Sequence, residues 1–225
     1  MELEPKLIEV ETPADPRGAV LILHGGASRR ENVMVSPTQL SVVRMIPIAR
    51  KVARAGKGEL AVFRLLNSRR GWDTHHTPVS DAQWALNQMA ERLGASLPTC
   101  LVGHSLGGRA AILTSDRSEV RSAVALAPWV YPHDHPPAMD GQRIVIVHGT
   151  KDRIASPTRA FELAKRLSQL TPTAFVAVRD GKHAMLARHG VFSNFAAHWA
   201  TATLLGRSRL DAIGRIEAGE TVLEV

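Results

Sequence analysis

The 225-residue sequence contains a single cysteine, Cys100, and this scarcity excludes an internal disulfide. Cys100 lies inside an apolar run, which favours a small buried side chain over a nucleophile. Aromatic residues make up only 4% of the chain. No apolar run approaches the roughly 18 to 20 residues that a membrane-spanning helix needs. The chain is therefore not a disulfide-stabilised protein, and we expect no membrane association.

Lysine is also scarce: arginine supplies 22 of the 28 basic residues, and the formal net charge is +7. Proteins that bind nucleic acid concentrate such charge in a patch or stripe. The arginines here are scattered and few aromatic residues accompany them, so nucleic-acid binding is not expected. Residues 1–10 carry three glutamates and lack the apolar region of a secretory signal. We therefore expect a cytoplasmic protein.

Short β-type segments alternate with helical segments along the chain. Continuous apolar runs, such as residues 19–23, are typical of strands buried on both faces of a parallel sheet. The helical spacing of apolar residues in segments such as 79–93 predicts helices between the strands. This alternation predicts one α/β domain with a doubly wound, mostly parallel sheet and helices on both faces.

The boundaries of the elements follow from the same patterns. The predicted strands are residues 6–10, 19–23, 59–66, 99–103, 120–127, 143–147 and 173–178. The predicted helices are residues 41–55 with a start or kink at Pro47, 79–93 with Ser80 as N-cap, 106–115, 156–170 and 191–205. We assign residues 1–206 to the domain. The pattern weakens over residues 207–225, which we expect to form a partly disordered C-terminal tail.

The run Gly-His-Ser-Leu-Gly at residues 103–107 lies between a predicted strand and a predicted helix. This is the context of a nucleophile elbow, a turn so tight that larger side chains in place of its two glycines would clash with neighbouring backbone. The elbow exposes the hydroxyl of Ser105, and the N-terminus of the following helix faces the developing oxyanion. Ser105 is therefore the candidate nucleophile.

A serine hydroxyl needs a base to take its proton. His183 follows the last predicted strand, at the sheet edge where sites of doubly wound folds form, and His189 is the alternative. Asp152 follows the preceding strand and is the candidate acid that orients the histidine. Asp180 is the alternative acid, although it lies too close to His183 along the chain to orient it well. The chain order Ser105, Asp152, His183 is the order that this type of triad uses.

An oxyanion hole needs two backbone N–H donors. Leu106, directly after the nucleophile, is the candidate for one of them. The loop that follows the strand 19–23 reads His-Gly-Gly-Ala-Ser, and its small residues allow close approach to a substrate carbonyl. Gly26 is the candidate second donor and Ala27 the alternative.

These runs together resemble the α/β-hydrolase superfamily over residues 6–205. The matching runs are LHGG at 23–26, GHSLGG at 103–108, HGTKD at 148–152 and DGKHAM at 180–185. The run LAPW at 126–129 and the short connections are similar to small lidless bacterial serine hydrolases of the dienelactone hydrolase-like group. Dienelactone hydrolases proper use cysteine as the nucleophile, whereas this sequence has Ser105. The resemblance therefore implies the fold, the triad and the oxyanion loop, but not that substrate.

The segment 127–143 is too short for a helical cap domain, so we expect an open site. Other strand ends at the same sheet edge carry arginine and aromatic residues. The candidate substrate contacts among them are Arg29, Arg69, Trp72, His104 and Trp129. They suggest an aromatic wall with a basic rim that would select an anionic acyl or leaving group. The alternative is that these arginines are ordinary surface residues and the tryptophans half-buried packing residues.

Two histidine-containing runs, at residues 75–76 and 133–135, lack the spacing and the third ligand of a metal site, so neither a metal nor a cofactor is expected.

The sequence predicts a serine hydrolase that cleaves a carboxylic ester or thioester through an acyl-serine intermediate. An acyltransferase or amidase with the same triad is an alternative. A catalytically silent binding protein is a further alternative. Its usual mark is a broken triad, whereas all three candidate members are present in this sequence. The expected partner is a small-molecule acyl substrate, and the protein is expected to be a monomer or a homodimer.

Overall fold

The computed structural model describes residues 4–26, 35–131, 134 and 138–225. The strands are β1 (Lys6–Glu11), β2 (Gly18–Leu23), β3 (Leu60–Leu66), β4 (Thr99–His104), β5 (Val120–Leu126), β6 (Arg143–Gly149), β7 (Thr173–Val178) and β8 (Val222–Glu224). The helices are α1 (Leu40–Val43), α2 (Met45–Gly56), α3 (Thr77–Leu93), α4 (Leu106–Leu113), α5 (Pro157–Leu167), α6 (His189–Leu205) and α7 (Asp211–Glu217).

The strands form one 8-stranded sheet in the order β1-β3-β2-β4-β5-β6-β7-β8. Only the edge strand β1 runs antiparallel to its neighbour, and all other pairs are parallel. The chain moves from β2 to β3 on one side and then returns past β2 to β4 on the other. The strand order therefore reverses between β2 and β4. In open α/β sheets, ligand sites form at the carboxyl ends of the strands on either side of such a reversal.

Strand β2 shows why the sheet needs helices on both faces. Every residue of this strand is buried. Val20 and Ile22 pack into a core formed with α2 and α6, whereas Leu21 and Leu23 pack into a second core formed with α3, α4 and α5. Alternate side chains of a strand point to opposite faces, so a strand that is apolar throughout requires cover on both. The predicted α/β fold is confirmed.

The connection between β5 and β6 is short, as the sequence predicts. Its described residues, within 127–142, form neither a helix nor a strand, so this part of the chain holds no cap over the sheet edge. Within the described ranges, no helix combines the length and the apolar character that a membrane span requires.

The structure corrects the predicted start of α3. The helix begins at Thr77 rather than Val79, and Pro78 occupies its first turn, where proline is tolerated. The carboxylate of Asp73 accepts a hydrogen bond from the backbone N–H of Thr77 (2.9 Å), so Asp73 rather than Ser80 satisfies an N–H of the first turn. Helix α5 begins at Pro157, and Ser156 is its N-cap: the Ser156 hydroxyl accepts from the Arg159 N–H (3.3 Å).

The structure also corrects the assignment of residues 207–225 to a partly disordered tail. Helix α7 buries Ile213 in the core, and β8 pairs with β7 and buries Leu223. The sequence pattern misses these elements because each is short and contributes only one or two apolar residues. Their stability comes from the core that the rest of the chain supplies, and not from their own periodicity.

Replacement of Leu223 with alanine tests whether this C-terminal segment is part of the cooperative fold. Leu223 is 2% exposed, so we expect Leu223→Ala to lower the free energy of unfolding by about 2 kcal/mol or more. The neighbouring Val222 is 51% exposed, and Val222→Ala should cost less than about 1 kcal/mol. Urea denaturation of both variants gives the comparison, and equal small losses would contradict the packing described.

Candidate active site

Ser105 lies in a strained turn between β4 and α4. Its backbone has φ 56° and ψ −118°, outside the regions that non-glycine residues usually adopt. A Cβ on Gly103 would lie 2.0 Å from the carbonyl oxygen of Gly107, and a Cβ on Gly107 would lie 2.5 Å from that of Leu23. Both positions therefore require glycine, because the turn brings backbone from β2, β4 and α4 into direct contact.

The three residues predicted from separate strand ends lie in one chain of hydrogen bonds. His183 Nδ1 is 2.8 Å from Asp152 Oδ2, and His183 Nε2 is 3.0 Å from Ser105 Oγ. A carboxylate only accepts, so the Nδ1–H of His183 donates to Asp152. Nε2 of the neutral ring is then free to accept the hydroxyl proton of Ser105.

Four donors surround the buried carboxylate of Asp152. Its Oδ2 accepts from His183 and from His148 Nε2 (3.1 Å), and its Oδ1 accepts from the backbone N–H groups of Ile154 (2.8 Å) and Ala155 (3.0 Å). Burial by itself raises the pKa of this carboxyl. The hydrogen bonds from His148, His183 and Ile154 outweigh that effect and hold its pKa well below the usual range. Asp152 is therefore ionised at neutral pH.

His148 is a further residue of the site, and the sequence patterns did not predict it. This residue is fully buried near the end of β6, and its Nε2–H points at Asp152 with the Ala155 carbonyl oxygen 3.3 Å away. Its position at the carboxyl end of a strand, four residues before the candidate acid, is the signal that could have identified it.

His104 lies beside the nucleophile but bonds to the histidine loop. Burial and the neighbouring His183 ring lower the pKa of His104 to about 3, so its ring is neutral. Its Nε2–H donates to the backbone carbonyl of His183 (2.9 Å), and the two rings lie 5.0 Å apart. His104 was predicted as a substrate contact, and it does line the groove that opens at Ser105. Because its side chain is almost fully buried and bonds to the His183 carbonyl, we interpret it also as a residue that positions His183.

The loop after β2 approaches Ser105 closely. A Cβ placed on Gly25 would lie 3.1 Å from the Cβ of Ser105. His24 anchors this loop: its Nδ1–H donates to the Gly25 carbonyl (2.6 Å), and its Nε2 accepts from the Asn67 N–H (3.1 Å). Burial lowers the pKa of His24, which favours the neutral ring that this pairing needs. Leu106 begins α4, so its N–H has no intrahelical partner.

Ser105 opens into a groove with a volume of about 330 Å³. Gly25, Gly26, His104 and His183 line it together with Ser105. The remaining lining includes two cationic and two exposed apolar side chains, namely Arg44, Arg70, Leu40 and Ile154. The groove is therefore open and amphipathic.

Three other predicted substrate contacts, Arg69, Trp72 and Trp129, are not among the residues that line this groove. Arg69 is exposed and does not line the groove. Trp72 packs against the guanidinium of Arg109, 4.0 Å from its ring centre. Trp129 borders a neighbouring cavity, which shares Ile154 with the groove. Arg29 and the alternative oxyanion donor Ala27 lie outside the described residues. Arg44 and Ile154 were not predicted, because nothing in the local pattern of either segment indicates that it returns to the site.

Arg109 connects the elbow helix to two loops at this edge of the sheet. Its guanidinium forms a buried ion pair with Asp134 (2.6 Å) and lies between the rings of Trp72 and Tyr131, 4.6 Å from the latter. Arginine suits such a position because its planar group stacks on aromatic faces while it donates hydrogen bonds in its own plane. Trp72 and Tyr131 are thereby fixed relative to α4.

The alternative acid and base of the sequence analysis lie elsewhere. Asp180 is exposed and pairs with Lys151 (2.6 Å). His189 begins α6, and Ser105 bonds to His183 instead. Among the described residues, no group of three His, Cys, Asp or Glu side chains could hold a metal ion.

Solved structures of several α/β hydrolases are similar to this fold. An α/β serine hydrolase homologue from Coxiella burnetii superposes with a TM-score of 0.62 at 14% identity, covering 86% of this chain and 89% of that one. A serine hydrolase without a lid from Xanthomonas campestris gives 0.59 at 17% identity, with coverages of 88% and 90%. Est1E from Butyrivibrio proteoclasticus gives 0.64 at 12% identity, with coverages of 89% and 94%.

No curated protein matches the chain in sequence. The family model described as platelet-activating factor acetylhydrolase, isoform II, matches residues 53–216. This range begins within α2, ends within α7 and includes Ser105, Asp152 and His183. Because the match covers most of the chain, the protein belongs to the platelet-activating factor acetylhydrolase isoform II family and is a carboxylic-ester hydrolase of the α/β-hydrolase fold.

Proposed function

We propose that the protein hydrolyses carboxylic esters through an acyl-enzyme formed on Ser105. The observation that carries this proposal is the continuous hydrogen-bond chain from Asp152 through His183 to the Ser105 hydroxyl, with distances of 2.8 and 3.0 Å. In this arrangement a base lies within reach of the nucleophile, and an ionised carboxylate orients the base.

The proposed reaction has two stages. Ser105 Oγ attacks the ester carbonyl carbon while His183 Nε2 takes the hydroxyl proton. The protonated His183 then gives this proton to the leaving alkoxide, and the acyl group remains on Ser105. In the second stage His183 deprotonates a water molecule, which attacks the acyl carbon. The protonated His183 then returns this proton to Ser105 Oγ as the bond between Oγ and the acyl carbon breaks, which releases the acid and free Ser105. Asp152 stabilises the charged imidazole in both stages.

The negative oxygen of each tetrahedral intermediate needs donors that are already in place. We assign this role to the backbone N–H groups of Leu106 and Gly26. Leu106 begins the elbow helix, and Gly26 lines the groove beside Ser105. The partial positive charge at the N-terminus of α4 adds to the stabilisation.

Replacement of Ser105 tests the mechanism directly. We expect Ser105→Ala to lower kcat/KM for aryl esters by at least about a thousandfold, because the attacking oxygen is lost while substrate binding is kept. A fluorophosphonate probe should label the wild-type protein and leave the variant unlabelled.

Ser115→Ala is a matched control, since Ser115 is also buried but lies at the far end of the elbow helix, bonded to the Ile112 carbonyl. It should be labelled like the wild type. Absence of labelling in the wild-type protein, or persistent labelling of Ser105→Ala, would contradict the proposal.

His148 is proposed to position Asp152 and to keep it ionised. Removal of its hydrogen bond in His148→Leu should lower kcat by roughly tenfold, since a hydrogen bond to a charged group is worth about 1.5–3 kcal/mol. KM should change little, because His148 does not line the groove. His148→Gln keeps a donor near the same position and should retain more activity than His148→Leu. Equal kcat values for wild type and His148→Leu would exclude this role.

The lining of the groove favours a particular class of ester. Arg44 and Arg70 are half-buried, and the Nε of Arg70 is buried without a hydrogen-bond partner among the described residues. The exposed side chains of Leu40 (76%) and Ile154 (61%) offer apolar contact beside them. We therefore propose a small ester with an apolar part and an anionic substituent. The family description names an acetylhydrolase, and the small groove is compatible with a short acyl chain.

Two esters of equal length, one neutral and one carrying a carboxylate, test this preference. We expect kcat/KM for the anionic ester to fall about tenfold in Arg70→Gln and in Arg44→Gln, because each loses a charge-assisted contact, whereas the neutral ester should be little affected. Arg69→Gln is the control, since Arg69 is exposed beside Arg70 but outside the groove. No preference of the wild-type protein for the anionic ester would refute this substrate class.

A further inference from the structure

A second and larger groove lies between α2 and α6, with a volume of about 950 Å³. This volume is at the upper end of the range for small-molecule sites, roughly 300–1,000 Å³. It shares no lining residue with the groove at Ser105. Nothing in the proposed ester hydrolysis uses it.

Small residues on α6 form the floor of this groove. Ser193, Ala197 and Thr201 follow His189 at four-residue intervals and therefore lie in one row along the helix. From His189 to Thr201 the row extends about 18 Å, at 1.5 Å per residue. Pro47 and Ala55 add apolar surface from α2. The floor is thus long, shallow and partly apolar.

The walls of the groove are strongly basic. Five cationic side chains line it, namely Lys51, Arg54, Lys57, Arg207 and Arg209. No aspartate or glutamate is among the described residues that line it. The whole protein has a net charge of +7, so the five cations of this groove are a large part of its excess positive charge.

Most of these cations have no carboxylate partner in the described part of the chain. Arg207 pairs with Glu59 (2.5 Å), while Lys51 donates only to the Ser193 hydroxyl (3.2 Å). Arg54 donates to a backbone carbonyl on its own helix. Like charges gathered without counter-charges repel one another, and an anion in the groove would relieve that repulsion.

The two histidines of the groove feel its positive charge and include a polar atom without a partner among the described residues. Burial, and then the charges of Lys51 and Arg209, lower the pKa of His198. The Nε2 of His189 is buried and has no hydrogen-bond partner among the described residues. His189 also begins α6, whose first turn contains no acidic residue and no side-chain cap. The partial positive charge of this 17-residue helix therefore adds to that end of the groove.

We propose that this groove binds a small polyanion that carries several phosphate groups, at a site separate from Ser105. The cations are distributed along an extended floor, so a ligand with several charges along its length fits better than a single anion. Arginine and lysine are the usual partners of phosphate oxygens, and arginine can bind them in a bidentate manner.

Isothermal titration of the full-length protein tests the proposal with three probes: ATP, inorganic tripolyphosphate, and vesicles of phosphatidylcholine with and without phosphatidate. Binding of the soluble probes would assign a free phosphate compound. Binding only to phosphatidate-containing vesicles would overturn the proposal, because that headgroup carries one phosphate and lies on a membrane surface. The affinity for the soluble probes should fall as salt is added, because screening weakens the contacts of exposed charges.

The variant Lys51→Glu/Arg54→Glu should raise the Kd for the bound probe by at least about tenfold, because it replaces two attractive charges with repulsive ones. Lys165→Glu/Arg166→Glu is the matched control: it makes the same change in net charge on α5, where both side chains are exposed and outside the groove. If thermal unfolding shows that the first variant is not folded, Lys51→Gln/Arg54→Gln replaces it. Absence of binding by all three probes, or an equal loss in the control variant, would overturn the proposal.

Discussion

The ionised carboxylate of Asp152 is the group on which the arrangement of the site depends. A carboxylate that is shielded from water and lacks partners would take up a proton instead of keeping its charge. Two imidazoles and two backbone N–H groups prevent this by donating to its two oxygens. The fixed negative charge in turn determines which nitrogen of His183 carries the proton. Ser105 therefore faces the nitrogen that can accept its own proton.

The parallel sheet makes this set of contacts possible. Asp152, His183 and Ser105 come from chain segments far apart in sequence, and they meet because the carboxyl ends of β4, β6 and β7 share one edge. Further contacts hold these ends together around Ser105. His104 bonds to the backbone of the His183 loop, and His24 connects the loop after β2 to the residue that follows β3. The buried, neutral side chains of His24 and His104 thus join the loops at neighbouring strand ends by hydrogen bonds.

The sequence predicts the fold and the central residues of the site because both leave local patterns. The glycines around Ser105 reflect backbone contacts that allow no side chain, and Asp152 and His183 follow strands in a characteristic order. Arg44 leaves no such pattern, because its place in the groove depends on how segments pack in three dimensions. His148 leaves only its position near the end of β6, four residues before Asp152, and its hydrogen bond to Asp152 is visible only in the folded structure. The C-terminal helix and strand were missed for a related reason: Ile213 and Leu223 are buried in a core made mostly by other segments. The predicted Trp72 does lie at this edge of the sheet, but it packs on Arg109 instead of facing Ser105.

Residues near the groove fall into two groups, according to whether they contact Arg109, which pairs with Asp134 and stacks on two aromatic rings. Trp72 and Tyr131 contact Arg109 of α4, the helix that follows Ser105, so a change at either ring would act on the helix that fixes the position of Ser105. Leu40, Arg44 and Ile154 have no contact of this kind with Arg109. Substrate preference could therefore diverge through residues 40–44 and 154 while the reaction itself is preserved. Engineering of new specificities should begin with these positions and leave the arginine cluster unchanged.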